Sequence, residues 1–179
     1  MDVEIYRQEA EKYKPERGRI KILFIAESPP PFKKGEKPRY FYFKENKGPD
    51  LLFSSIIKAV YDIDYRKSPE FKAEFLDRLR DDGYFLIDAC EYPLGKKDDR
   101  NEHIKKNLPD LLNRMRELRD DSMKIVLIKN SVFEILNEPL RKSGFNVLNK
   151  GSIGFPRYYN DRQTVSQIRY LIKNVTRPL

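Results

Sequence analysis

The sequence predicts an α/β domain: a central four-stranded parallel sheet between helical layers, a three-layer sandwich formed by residues 1–179 as a single domain. Three observations predict it. Five of the seven residues from Ile20 to Ala26 are large and apolar, and Tyr84–Ala89 and Lys124–Lys129 carry similar apolar runs. Unbroken runs of that length suit strands buried on both faces, whereas a sheet with one wet face would alternate. Between the runs, apolar residues recur at helical spacing, and strands alternating with helices imply right-handed crossovers. A chain of 179 residues is long enough for one such domain and short for two.

Each element has its own signal. Residues 1–13 read as a short charged helix anchored by Ile5 and Tyr6, and Pro15 and Gly18 separate it from the first strand. That strand closes on Glu27-Ser28-Pro29-Pro30-Pro31. Prolines lack the backbone N–H and disfavour helix in the residue before them, so the chain leaves the strand as a stiff, extended loop. A basic loop, Lys33–Arg39, leads into Tyr40-Phe41-Tyr42-Phe43, whose alternate members point to opposite sides if the segment is extended. Asp50 then opens an apolar helix through Leu51, Leu52, Ile56, Ile57 and Val60.

Ser68-Pro69-Glu70 reads as a helix start, with a cap, a proline and an acid at the positive end of the dipole. Phe71, Phe75, Leu76 and Leu79 form its apolar face, and Gly83 ends it. Tyr84–Ala89 is the second strand, followed by a polar loop at 93–100. Ile104, Leu108, Leu111, Leu112, Met115 and Leu118 mark a long helix with an irregularity expected at Pro109. After the third strand, Lys124–Lys129, the run Ser131-Val132-Phe133-Glu134 has the form of a capping box opening a helix that runs to Gly144. Phe145–Asn149 is a short fourth strand, residues 150–160 a glycine-bearing basic loop, and Val165, Ile168, Leu171, Ile172 and Val175 mark the last helix.

Composition bounds the function. No apolar run approaches the roughly 18 residues of a membrane span, and the N-terminus carries no signal-peptide pattern. The single cysteine, Cys90, allows no intrachain disulfide, so a cytoplasmic location is expected. The single histidine, His103, excludes a metal centre built on several histidines, and neither metal nor cofactor is expected. Charged residues make up 36% of the chain, a bias of proteins from heat-loving organisms. The net charge of +8 is uneven, with +3 in residues 21–50 and +5 in residues 131–179. An uneven basic balance suggests an anionic partner, nucleic acid first.

Ligands of open α/β sheets bind outside the carboxyl ends of the strands. There the sequence gathers Glu27 and Ser28, Asp88, and Lys129 with Asn130, joined by the basic loop 150–160. Phe24-Ile25-Ala26-Glu27-Ser28-Pro29-Pro30 resembles the first motif of the uracil-DNA glycosylase superfamily, especially its thermophilic iron–sulfur branch, where the strand ends in Gly-Glu-Ala-Pro-Gly. Phe85-Leu86-Ile87-Asp88 is similar to the family's second strand, which ends in a base-reading asparagine, and Ile125–Lys129 to its third. The order and spacing match over about residues 20–175, with Phe155-Pro156-Arg157 where the family has His-Pro-Ser and no cysteines for a cluster.

The resemblance implies a DNA-binding protein that hydrolyses the N-glycosidic bond of a damaged or modified base flipped into a pocket; a monomer without a cofactor is expected. Glu27 would stabilise positive charge on the sugar or orient a water, with Ser28 contributing a hydrogen bond. Lys129 would offset charge on the leaving base, bind phosphate, or attack as an amine. Tyr40 would stack on the base, and Asp88 and Asn130 would meet its edge. An ionised Asp88 only accepts hydrogen bonds, which suits an edge with an exocyclic amino group better than uracil. Lys150 and Arg157 would hold phosphates, positioning DNA without reading sequence. Two other readings stay open: a binding module on the same fold without chemistry, and an enzyme of free nucleotides. Single- or double-strand preference is open too.

Overall fold

A computed structural model of the protein describes residues 3–31, 39–45, 50–67, 69–120, 122–157 and 161–176. Residues 33–38 of the basic loop, Ser68 and residues 158–160 lie outside the described residues. Helix α1 (Glu4–Glu11) precedes strand β1 (Ile22–Ala26). Helices α2 (Leu51–Tyr61) and α3 (Lys72–Asp81) lead to β2 (Tyr84–Asp88). Helix α4 (Arg100–Leu118), β3 (Lys124–Leu127), α5 (Asn130–Lys142), β4 (Asn146–Val147) and α6 (Asp161–Thr176) complete the chain. The four strands are parallel in the order β2-β1-β3-β4. Helices flank the sheet, α2 against α6 and α4 against α5, consistent with a three-layer sandwich.

β1 is central because it can be: all five of its residues are buried. Its register on β2 sets Ala26 opposite Asp88, and the pairing continues beyond, with Cys90 N–H donating to the Glu27 carbonyl at 2.9 Å. The acids that close the two apolar runs therefore leave the sheet side by side. Gly83, with φ of +85°, makes the turn into β2, where a side chain would collide with the Arg19 carbonyl.

Side chains finish both edges of the sheet. β2 is an edge strand, so its outward backbone groups need partners. The Tyr42 hydroxyl supplies both, accepting from Leu86 N–H at 2.8 Å and donating to the Leu86 carbonyl at 2.9 Å. At the other edge, β4 stops after Val147 because Asn149 replaces further ladder bonds. Its Oδ1 accepts from Leu127 N–H at 2.8 Å and its Nδ2 donates to the Leu127 carbonyl at 3.0 Å. The fourth strand is thus shorter than the Phe145–Asn149 expected. Tyr42→Phe leaves both Leu86 groups without a partner, and we expect it to lower stability by about 1–3 kcal/mol. Urea unfolding checks this as a lower midpoint at unchanged slope.

Two local expectations are corrected. Tyr40–Phe43 is not extended; Phe43 N–H donates to the Tyr40 carbonyl at 3.2 Å, and the turn packs Tyr40, Phe41 and Tyr42 into the core. The cluster is held edge to face, Tyr40 against Tyr6 at 5.0 Å and Phe41 against Phe53 at 5.3 Å. Pro69–Phe71 forms a separate 3₁₀ turn, so α3 begins at Lys72 and Phe71 is 44% exposed rather than in the apolar face. Asp50 caps α2 as expected, accepting from Phe53 N–H at 3.3 Å, and it also ties down α3. The buried Lys72 Nζ sits 2.6 Å from its Oδ2 and 4.8 Å from the Phe53 ring centroid.

Candidate functional site

A cavity of about 350 Å³ opens at the carboxyl end of the sheet, within the size range of small-molecule sites. Ala26 to Pro31 form one wall as the stiff segment leaving β1, and Asp88 and Leu86 of β2 form another. Tyr40, Phe41, Leu51 and Leu52 give it an apolar side, while Arg39, Arg100, Lys129 and Arg157 bring four cations to it. Glu27, Ser28, Asp88, Lys129, Tyr40 and Arg157 thus border one space.

Glu27 is 5% exposed and is held by three donors. Its Oε1 accepts from Lys129 Nζ and from Arg100 Nη1, each at 2.6 Å, and its Oε2 accepts from Ser131 Oγ at 2.7 Å. Burial alone would raise the carboxyl. The hydrogen bonds from Lys129 and Ser131, the Lys129 charge and the Arg100 bond outweigh it, so Glu27 stays below the usual carboxylate range. Oε1 is saturated, and Oε2 keeps one lone pair for a water or a substrate hydroxyl.

Lys129 stands where β3 turns into α5, with φ of +93°. A side-chain-bearing residue in that region is strained and persists only where its surroundings hold it. Here its N–H donates to the Ile153 carbonyl at 2.8 Å while its Nζ grips Glu27. Strain at a strand-to-helix turn facing a cavity is a mark of functional positions. The capping box read at Ser131–Glu134 does not form, since α5 starts at Asn130 and no side chain caps it. The Ser131 hydroxyl is spent on Glu27 instead.

Asp88 is 6% exposed, and its carboxyl has no hydrogen-bond or ion-pair partner among the described residues. Arg114 reaches past it, donating to the carbonyls of Asp88 at 3.1 Å and Ala89 at 3.3 Å. Burial pushes the Asp88 carboxyl up to about 7; Arg114 opposes this, and Glu91 and Glu27 reinforce it. Near neutral pH the group is present both as an acceptor-only carboxylate and as an acid that also donates.

The remaining expectations divide. Tyr40 and Phe41 border the cavity, whereas Tyr42 is core. Asn130 and Lys150 are exposed and stand outside the cavity wall, because the first turn of α5 and the loop after β4 carry them away from it. Cys90 lies beside the site, yet burial and the charges of Glu27 and Asp88 push its thiol up to about 12, too high for a thiolate nucleophile. His103 is bonded to the Tyr92 hydroxyl at 2.9 Å, away from the cavity.

Two contributors were not legible as such, Arg100 and Ser131. Asp99 held a signal for the first. It caps α4, accepting from Asn101 and Glu102 N–H at 3.0 and 3.1 Å, and so fixes Arg100 as the first helical residue at the rim. Among the described residues no group of three or more His, Cys, Asp or Glu could hold a metal ion, and no helix is long and apolar enough to cross a membrane. Compared with known protein families and with curated proteins, the chain matches none.

Proposed function

We propose that the protein binds DNA, takes one base into the cavity and hydrolyses its N-glycosidic bond, in the manner of the uracil-DNA glycosylase superfamily its strand ends resemble. The observation that carries this reading is the convergence of Glu27, Asp88 and Lys129 from three strand ends on one cavity of about 350 Å³.

The chemistry follows from the charge states. Glu27 remains ionised throughout the neutral range, so it serves better as fixed negative charge than as a strong general base, which needs a pKa near the working pH. Its charge stabilises the cationic sugar as the C1′–N bond breaks and the electron pair leaves with the base. The open lone pair of Oε2 orients the attacking water, which forms the new C1′–O bond and gives up a proton to solvent, while the departing base anion takes one up. Lys129 and Arg100 offset charge on the departing base, a task the family gives to the histidine replaced here in Phe155-Pro156-Arg157. Tyr40 and Phe41 supply aromatic surface, and Asp88 meets the base edge.

One observation favours the second reading, a binding module without turnover. Glu27 is engaged by two cations and a hydroxyl, an arrangement that also suits a structural ion cluster. Oligonucleotides bearing single deaminated, alkylated or oxidised bases, assayed for abasic sites, separate the two. Turnover of one lesion supports the enzyme, and binding without turnover of any lesion supports the module. DNA affinity that does not respond to salt ends both readings.

Arg157 and Arg39 are expected to act as phosphate contacts at the cavity mouth. Arg157→Ala should weaken DNA binding evenly across sequences and lower the salt dependence, d log K/d log[salt], by about 0.7–0.9. Titrations at several salt concentrations measure both. A sequence-dependent loss at constant salt slope would instead make Arg157 a base reader.

A further inference from the structure

Asp88 also borders a second cavity, of about 40 Å³, between α1, the end of β2 and α4. Its charged neighbours are mostly spent on one another. Arg7 of α1 holds Glu91, and Arg114 of α4 bonds Asp110 at 3.0 Å and lies 3.7 Å from Glu91. Two groups are not. The Tyr6 hydroxyl is wholly buried without a hydrogen-bond partner among the described residues, and the Asp88 carboxyl likewise has none. A buried polar group without a partner is rare and costly, and the Tyr6 hydroxyl shares this small cavity with a carboxyl that has acceptor capacity to spare. The volume leaves room for a bridging water.

We propose that a single water in this cavity joins the Tyr6 hydroxyl to the Asp88 carboxyl, making Tyr6 a positioning residue for the group that meets the ligand. The structural claim stands on the cavity and the two unpartnered groups; its functional meaning rests on the reading that Asp88 faces a base. The N-terminal helix becomes part of the site, because Tyr6 of α1 borders the same cavity as Asp88.

The sign of the coupling is set by the donors. The Tyr6 O–H donates to the water, the water donates to the carboxylate, and the chain favours the ionised acid. Glu27 from β1 and Glu91 beyond β2 work against that charge, and Arg114 from α4 works for it. Tyr40, from the turn over the cavity, and Tyr6 are neutral phenols, both raised by burial, and Arg7 is held by Glu91.

Carbon-13 NMR of protein labelled in its aspartate carboxyls, with Asp88 assigned through Asp88→Asn, tests the proposal directly. Tyr6→Phe keeps the ring and removes the hydroxyl, and it should raise the Asp88 midpoint by roughly half to one pH unit. Tyr13→Phe, a buried ring stacked on Tyr42 and bordering neither cavity at Asp88, should leave it unmoved. An unchanged or lowered midpoint in Tyr6→Phe, or an equal shift in Tyr13→Phe, overturns the proposal. Should Tyr6→Phe not fold, a high-resolution crystal structure of the wild type decides by whether a water bridges the two groups. None of these readouts needs turnover: a shifted midpoint with no lesion cleaved upholds the coupling and discards base excision, and the reverse result does the opposite.

Discussion

Glu27→Gln is expected to fold, to bind DNA at least as tightly as wild type, and to lose turnover by about 10²–10⁴-fold. The amide has the shape of the acid but no charge to set against a cationic sugar. Its nitrogen also cannot accept the bonds that one carboxylate oxygen now takes. Stability should fall little, by about 1 kcal/mol or less, because Arg100 and Lys129 are 35% and 30% exposed and water can solvate them when the acid is gone. Removing a negative charge from a cavity with four cations can only favour a polyanion in the ground state. The signature is therefore a fall in kcat with binding retained, read from single-turnover rates beside direct titrations. Equal losses in both would make Glu27 a binding residue. The acid's stabilisation has a pH signature too. Its folded pKa lies below the ordinary 4.5, so its contribution is present above that value and disappears as pH falls through the lower one. Wild type and Glu27→Gln should thus converge in stability in strong acid.

The sheet was legible because its strands are buried on both faces. Runs such as Ile22–Ala26 and Tyr84–Asp88 can satisfy their side chains in few other ways, and the polar residue ending each run must emerge at the rim. That is why Glu27, Asp88 and Lys129 could be placed without knowing how helices pack. Ser131 and Arg100 could not, since their bonds to Glu27 depend on α4 and α5 docking over the carboxyl end of β1. Locally, Ser131 has every feature of a cap, and the tertiary bond to a buried carboxylate outcompetes it. The same competition explains β4, where Asn149 satisfies Leu127 with its side chain and ends a strand that propensity would extend. It explains Tyr40–Phe43 as well. Aromatic residues favour strands, but a bond to the open edge at Leu86 and burial of three rings favour the turn. Lys129 carried no local sign of its positive φ, because the strain is imposed by Ile153 and Glu27 from elsewhere in the chain.

Asp88→Asn should have the largest effect on stability, and the effect should depend on pH. In the unfolded chain the carboxyl titrates near 3.8, and in the folded protein near 7. Below 3.8 both states are protonated and the group contributes nothing. Between the two values the folded state holds a proton that the unfolded state has released, so stability falls as pH rises, and above 7 the loss is complete. A difference of about three pH units corresponds to roughly 4 kcal/mol, an upper figure since a water at the carboxyl reduces it. The asparagine variant has no such proton. Its stability should track wild type near pH 4 and exceed it progressively towards pH 8, as urea unfolding over that range would show; parallel curves would mean that Asp88 is ionised and solvated. On the proposed reading, both forms of the group serve base recognition. The neutral acid presents a donor beside an acceptor, which matches an amide-like base edge, while the carboxylate accepts only and selects an exocyclic amino group. Asn presents donor and acceptor at every pH. Base preference in wild type should therefore drift towards amino-bearing edges as pH rises through 7, and Asp88→Asn should abolish the drift while leaving Glu27 and its three donors in place.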